Sequence, residues 1–156
     1  MEADGDLESG RDARLAARRQ AMDLLARREH ARAELAAKLK KRDHDAETVE
    51  VVLDTLIDDG LLSNARYARA VVAAKSARGI GPVRIRAELA ALEVADAEIE
   101  SAIDEAEVDW SALAESARVK RFGAALPDDF PARAKQMRFL QRRGFDADQL
   151  RSAFDD

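Results

Sequence analysis

The chain predicts an all-α protein built from three tandem three-helix units, and three observations carry that reading. Nearly half of its 156 residues are apolar, charged residues make up 37%, and only 7 glycines and 3 prolines interrupt the chain. That balance favours packed helices over sheet, and no run of β-branched residues alternates with period two. The apolar residues instead recur at helical spacing. The same pattern then returns twice: Leu39 to Val49, Leu89 to Ile99 and Leu140 to Leu150 are each ten residues apart, and an apolar pair follows each time, Val52–Leu53, Ala102–Ile103 and Ala153–Phe154. The repeat therefore advances by 50 and then 51 residues (39 to 89 to 140), a period of stacked helical units that bury their apolar faces only against one another.

Taken in order, residues 1–12 hold Glu2, Asp4, Asp6, Glu8 and Asp12 against Arg11 alone, without periodicity, and are expected to form a disordered acidic tail. The three units are then placed at 13–60, 61–107 and 108–156. A first helix is expected over 13–28, with Leu15, Met22 and Leu25 along one face, and a second over 32–42 with Leu35 and Leu39. Asp45 offers an N-cap carboxylate to a third helix, in which Val49, Val52, Leu53, Leu56 and Ile57 form one stripe up to Gly60, a left-handed terminator. Ser63 caps a helix containing Tyr67, Val71 and Val72 that ends near Gly79.

Gly81-Pro82 opens the next helix, because proline suits a first turn that has no use for its missing N–H. Ile85 and Leu89 stand four apart on its inner stripe, and Arg84 and Arg86 flank it. A helix from Asp96 carries Ile99 and Ile103, and Asp109 caps one holding Trp110, Leu113, Val119 and Phe122. After a longer loop, Pro131 starts a helix through Met137, Phe139 and Leu140 that Gly144 ends; a short last helix carries Leu150 and Phe154. His44, Val94 and Phe145 occupy the same turn position, a staple-like packing site just before each third helix.

Charge follows the repeat. Residues 32–42 have five bases against Glu34, and 43–59 have seven acids and no base. Residues 66–88 have six bases and one acid, 93–109 eight acids and no base, and 133–143 five bases and no acid. The plain reading of this segregation is solubility, with basic and acidic helices pairing. The functional one is that arginines on successive second helices contact phosphates or an acidic protein groove. Aromatics are too few to suggest stacking on unpaired nucleotides. Residue pattern alone thus arrives at an elongated helical binding module.

Catalytic chemistry finds no foothold. There is no cysteine, which excludes disulfides and thiolate metal sites and suits a reducing cytosol; the two histidines, His30 and His44, lack partners at metal-ligand spacing. Gly79-Ile80-Gly81 is too short for a phosphate-cradling loop and lacks its lysine. His30 is expected in a capping or hydrogen-bonding role. No cofactor and no enzymatic activity are expected. No apolar run approaches the roughly 20 residues of a membrane span, so a cytoplasmic protein without membrane contact is expected.

Four stretches then carry a resemblance: Arg27 to Leu35 with Lys38-Leu39, Leu56 to Tyr67 (LIDDGLLSNARY), Gly81 to Leu89 (GPVRIRAEL) and Lys135 to Phe145 (KQMRFLQRRGF). In this order, over roughly residues 16–154, they resemble the RecX family of bacterial regulatory proteins that modulate the RecA recombinase. The resemblance implies three stacked three-helix units in an elongated, curved array. It implies binding in the groove of the RecA–single-stranded DNA filament, with suppression of its ATPase activity, extension and strand exchange. The DNA backbone is a further partner, and a monomer is expected. Carried over, the contact candidates are Arg28, Arg32, Arg84, Arg86, Lys135, Arg142 and Arg143. Two turns depart from the family, Asp43 and Glu93 standing where glycine is frequent. Aspartate tolerates a left-handed turn better than glutamate, so the turn at Glu93 is expected to be looser or differently shaped. A direct DNA-binding helical protein remains the alternative, and an adaptor for another acidic protein a third reading.

Overall fold

The computed structural model describes residues 2–155; Met1 and Asp156, the outer ends of the expected tail and third unit, lie outside the described residues. Among the described residues the chain is all helical, with α1 (Glu2–Arg27), α2 (Arg32–Lys41), α3 (Ala46–Asp58), α4 (Asn64–Ala77), α5 (Pro82–Ala91), α6 (Asp96–Glu105), α7 (Trp110–Phe122), α8 (Phe130–Arg143) and α9 (Ala147–Ser152). They form two compact units. The first reaches to Tyr67 and takes in Leu92–Val94, and the second comprises Ala68–Ala91 and the chain from Ala95 on.

In the first unit, α3 supplies most of the core. Val49, Val52, Leu53 and Leu56 are buried together with Leu35, Leu39, Leu62 and three residues of α1, Ala17, Ala21 and Leu24. The expected stripe of α1 is corrected here: Leu15 and Met22 are exposed, and the buried face is the neighbouring Ala17–Ala21–Leu24 row. Alanine's methyl is too small to hold the helices apart, so this row lets α1 lie close against α3. Ile57, expected on the inner stripe of α3, is exposed as well.

The acidic segment is not disordered in the structure but is the beginning of α1. Carboxylates near a helix N-terminus meet the positive end of the helix dipole, and that favours helix even across Gly5 and Gly10. The Asp45 carboxylate accepts the Thr48 N–H at 2.8 Å as an N-cap should, and that bond holds Asp45 below the usual carboxylate range. Gly60 follows α3 at φ 75°.

The second unit centres on Ala114, Leu140, Phe145, Leu150, Ala153 and Phe154. Phe154 lies just beyond α9 rather than within it. Three aspartates start its helices: Asp109 caps α7, Asp129 caps α8, and Asp146 forms a reciprocal capping box with Gln149 at α9. On α7 the wholly buried residues are Ala114 and Arg118, whereas Trp110, Leu113, Val119 and Phe122 are half-buried.

The turn before each third helix is left-handed in all three repeats, at φ 69° for Asp43, 61° for Glu93 and 99° for Gly144. Glu93 thus keeps the conformation and carries its strain, contrary to the different shape expected there. The residue after each turn packs inward as expected at Val94 and Phe145, both buried. His44 is only half-buried, with its Nε2 3.0 Å from Gln20 Oε1.

Candidate functional site

The four family-like stretches are structural partners before they are anything else, and they interlock in pairs. In the first unit, the start of α2 meets the start of α4: the Asn64 side-chain oxygen accepts the Arg32 N–H at 2.8 Å, one of the donors a helix leaves open in its first turn. Arg66 bonds Glu29 at 3.0 Å. His30, 1% exposed, sits beneath this junction. Its Nδ1 lies 3.1 Å from the Arg28 carbonyl, which accepts only, so Nδ1 carries the proton. Nε2 then accepts from the Lys38 ammonium at 2.9 Å. Burial and the neighbouring cations hold the imidazole neutral by pushing its pKa down. The expected hydrogen-bonding role of His30 is what its contacts describe.

In the second unit the start of α5 meets the α8–α9 turn. The Gly81 N–H donates to the Arg143 carbonyl at 2.8 Å, and the Val83 N–H to the Gly144 carbonyl at 2.9 Å. Two backbones this close leave no room for side chains. A Cβ on Gly81 would lie 2.4 Å from the Gly144 oxygen, and one on Gly144 would lie 2.4 Å from Arg84 Cβ. Glycine at both positions is thus a packing requirement.

This junction gathers four of the seven contact candidates, Arg84 and Arg86 on α5 with Arg142 and Arg143 at the end of α8, and Lys135 lies about two turns back along α8. Arg28 and Arg32 belong to the junction of the first unit. Most of these guanidiniums already hold an anion. Arg28 grips Glu34 at 2.7 and 3.1 Å, and Arg32 bonds Glu50 at 2.8 Å and Asp54 at 2.7 Å. Arg84 pairs with Glu88 at 3.1 Å, and Arg86 holds Glu100 at 2.7 and 3.2 Å, keeping that carboxyl below its usual range. Arg143 donates to the Arg78 carbonyl at 3.3 Å and lies over the Phe139 ring, 5.3 Å from its centre. Lys135 and Arg142 are exposed, with no hydrogen bond or ion pair among the described residues.

The repeats also differ in the residue that faces the basic helix. Glu50 and Glu100 occupy equivalent positions 50 residues apart, and 51 further on stands Arg151. Where the first two repeats set a carboxylate facing their basic helix, the third sets another cation, itself bonded to Asp148. Lys135 is the equivalent of Arg84, and Phe139 stands where Glu88 holds that arginine, so Lys135 has no carboxylate one turn on.

One arginine escaped the sequence reading. Arg118 is 3% exposed, donates to the Ala153 carbonyl at 2.8 Å and lies 5.5 Å from the centre of the Phe154 ring. It ties α7 to the end of the chain, and the signal was its place four residues after Ala114 on the inner face of α7. Among the described residues no group of histidine, aspartate and glutamate side chains is arranged to hold a metal, and no helix is long and apolar enough to cross a membrane.

The tandem helices and their clustered, partly uncompensated bases place the chain among all-α helical-repeat proteins. Known proteins make the class specific. Models of the first, second and third three-helix domains of RecX match residues 17–56, 63–103 and 107–154. The regulatory protein RecX of Halorhodospira halophila is 50% identical over 138 residues, covering 88% of this chain and 86% of its own length. That of Pseudomonas putida is 46% identical over 139 residues, 89% of each chain. The chain belongs to the RecX family of regulatory proteins. Two solved structures share the fold. A crystal structure of regulatory protein RecX matches with a TM-score of 0.84 at 21% identity, over 100% of this chain and 78% of that one. RecX from Lactobacillus salivarius matches with a TM-score of 0.75 at 20% identity, over 91% and 94%.

Proposed function

We propose that this protein binds the RecA–single-stranded DNA filament and modulates it, mainly by inhibiting its ATPase activity, extension and strand exchange, as a cytoplasmic monomer acting in recombination and DNA repair. Membership of the RecX family supports the reading, and the observation that carries it on this chain is the exposed, uncompensated cations of α8, Lys135 and Arg142 among them. These project charge that no internal carboxylate consumes, so a filament groove or its DNA backbone gains their full attraction. The paired arginines contribute less: to bind an outside anion, each must first release the carboxylate it already holds. Bridging adjacent recombinase subunits would bias the filament against subunit exchange and ATP turnover.

The test is a titration of the protein into recombinase assembled on single-stranded DNA, following ATP hydrolysis, with binding to the DNA alone measured in the same buffer. The Lys135→Glu/Arg142→Glu double variant is expected to inhibit at least about tenfold more weakly with its helicity unchanged. Full inhibition by the double variant would sink the role given to α8. Inhibition that appears only as free DNA becomes coated, with a steep salt dependence, would instead favour direct DNA binding by the same cations.

A further inference from the structure

Within the second unit, the end of α4 with Gly79, α7 and α8 enclose a cleft of roughly 350 Å³. Its deeper lining is apolar, with Leu113 and Phe139 half-buried, and its outer lining is cationic, with Arg78, Lys120, Arg121 and Arg143 and no carboxylate. None of these four cations forms an ion pair among the described residues. Like charges so close together repel, and that repulsion is relieved when an anion enters. Two of the guanidiniums are already oriented: Arg143 and Arg121 lie over the Phe139 ring, 5.3 and 6.0 Å from its centre.

The shape of the lining selects the kind of anion. A nucleobase would need an open aromatic face, but Phe139 is crowded by two guanidiniums and by Phe122, whose ring stands perpendicular at 5.3 Å. The apolar surface that remains, chiefly Leu113 and Ala117, suits an aliphatic side chain. We infer that this cleft binds an acidic protein segment, its carboxylates taken by Arg78, Lys120 and Arg121 and one aliphatic side chain seated against Leu113 and Ala117. Arginine forks suit carboxylates because two parallel N–H donors match the two oxygens. The inference stands apart from filament inhibition: the residues given to the peptide are not the α8 pair varied there, and its probe contains no recombinase.

The experiment uses the full chain, ¹⁵N-labelled, titrated with a short synthetic peptide of aspartates and glutamates around a central leucine. An oligothymidylate serves as the nucleic-acid probe. Saturable amide shifts at Leu113, Ala117 and Lys120 are expected with the peptide. Affinity should fall about tenfold in Lys120→Glu/Arg121→Glu, and severalfold when serine replaces the peptide's leucine. Arg78→Glu, on an exposed residue of another segment, provides a second variant with the same expected direction. Cleft amides that do not move with the peptide, equal binding of the leucine and serine peptides, or preferential movement with oligothymidylate would each overturn the inference. None of those results alters filament inhibition by the intact chain, and loss of inhibition in the α8 double variant leaves the peptide shifts in place.

Discussion

The first and third repeats share a helix pattern and differ in what they do with charge. In the first, α2 lies beside an acidic α3, and Arg32 is held by both Glu50 and Asp54. In the third, α8 is at least as basic, but Arg151 stands at the position of Glu50, and Lys135 and Arg142 are left without partners among the described residues. The turns differ in parallel. Asp43 takes its left-handed conformation in the open, whereas Gly144 is pressed against Arg84. Repeat position therefore does not by itself assign a role: equivalent bases can be held by a carboxylate in one repeat and left without one in another. Exposed ion pairs of this kind contribute little to stability, so the pairing of Arg28 and Arg32 matters chiefly by occupying those two bases.

The sharpest way to break the comparison is at the turns. Gly144→Ala should cost roughly 3 kcal/mol, since it combines left-handed strain with a clash against the α5 backbone, and should lower the thermal midpoint by about 6–12 °C. Asp43→Ala, at the equivalent turn, should cost under about 1 kcal/mol. Equal losses in circular-dichroism melts would show that the two turns are packed alike after all.

Charge comes next. Arg151→Glu restores the carboxylate of the first two repeats and should raise the concentration needed to inhibit recombinase ATP hydrolysis by about fivefold. An unchanged inhibition curve would detach Arg151 from the exposure of the α8 bases. The smallest effect is one of pH. Only the first of the two repeats contains a buried histidine, and His30 is held below its ordinary value of 6.5 mainly by burial. The unfolded chain therefore binds the proton more readily, so stability is unaffected above about pH 6.5 and declines as the pH falls below it. A shallow fall in melting temperature between pH 6.5 and 5 is expected for the natural chain, and a flatter profile for His30→Gln. Identical slopes would mean that His30 does not set this range.

Nearly all of the helical organisation was legible in the residues. Caps such as Asp45 and Asp109, breakers such as Gly60, and the leucine spacing act within one or two turns, and the chain declares such local effects openly. Two features of α1 are not legible locally and share a cause. Composition does not show that residues 2–12 continue α1, and side-chain size does not show that alanines face α3. What a helix packs against is not written in the helix.

The same division holds for the site. The sequence by itself determined that the chain is helical, that it repeats, and that basic and acidic stretches alternate along it. Only the tertiary structure decided which of those bases are already occupied, that Gly81 and Gly144 are required by contact between two backbones, and that Arg118 is buried. The reason is range. Helix formation depends on neighbours a few residues away, whereas an ion pair such as Arg86–Glu100 or a close approach such as Gly81–Gly144 depends on where the fold brings distant segments within a few ångströms.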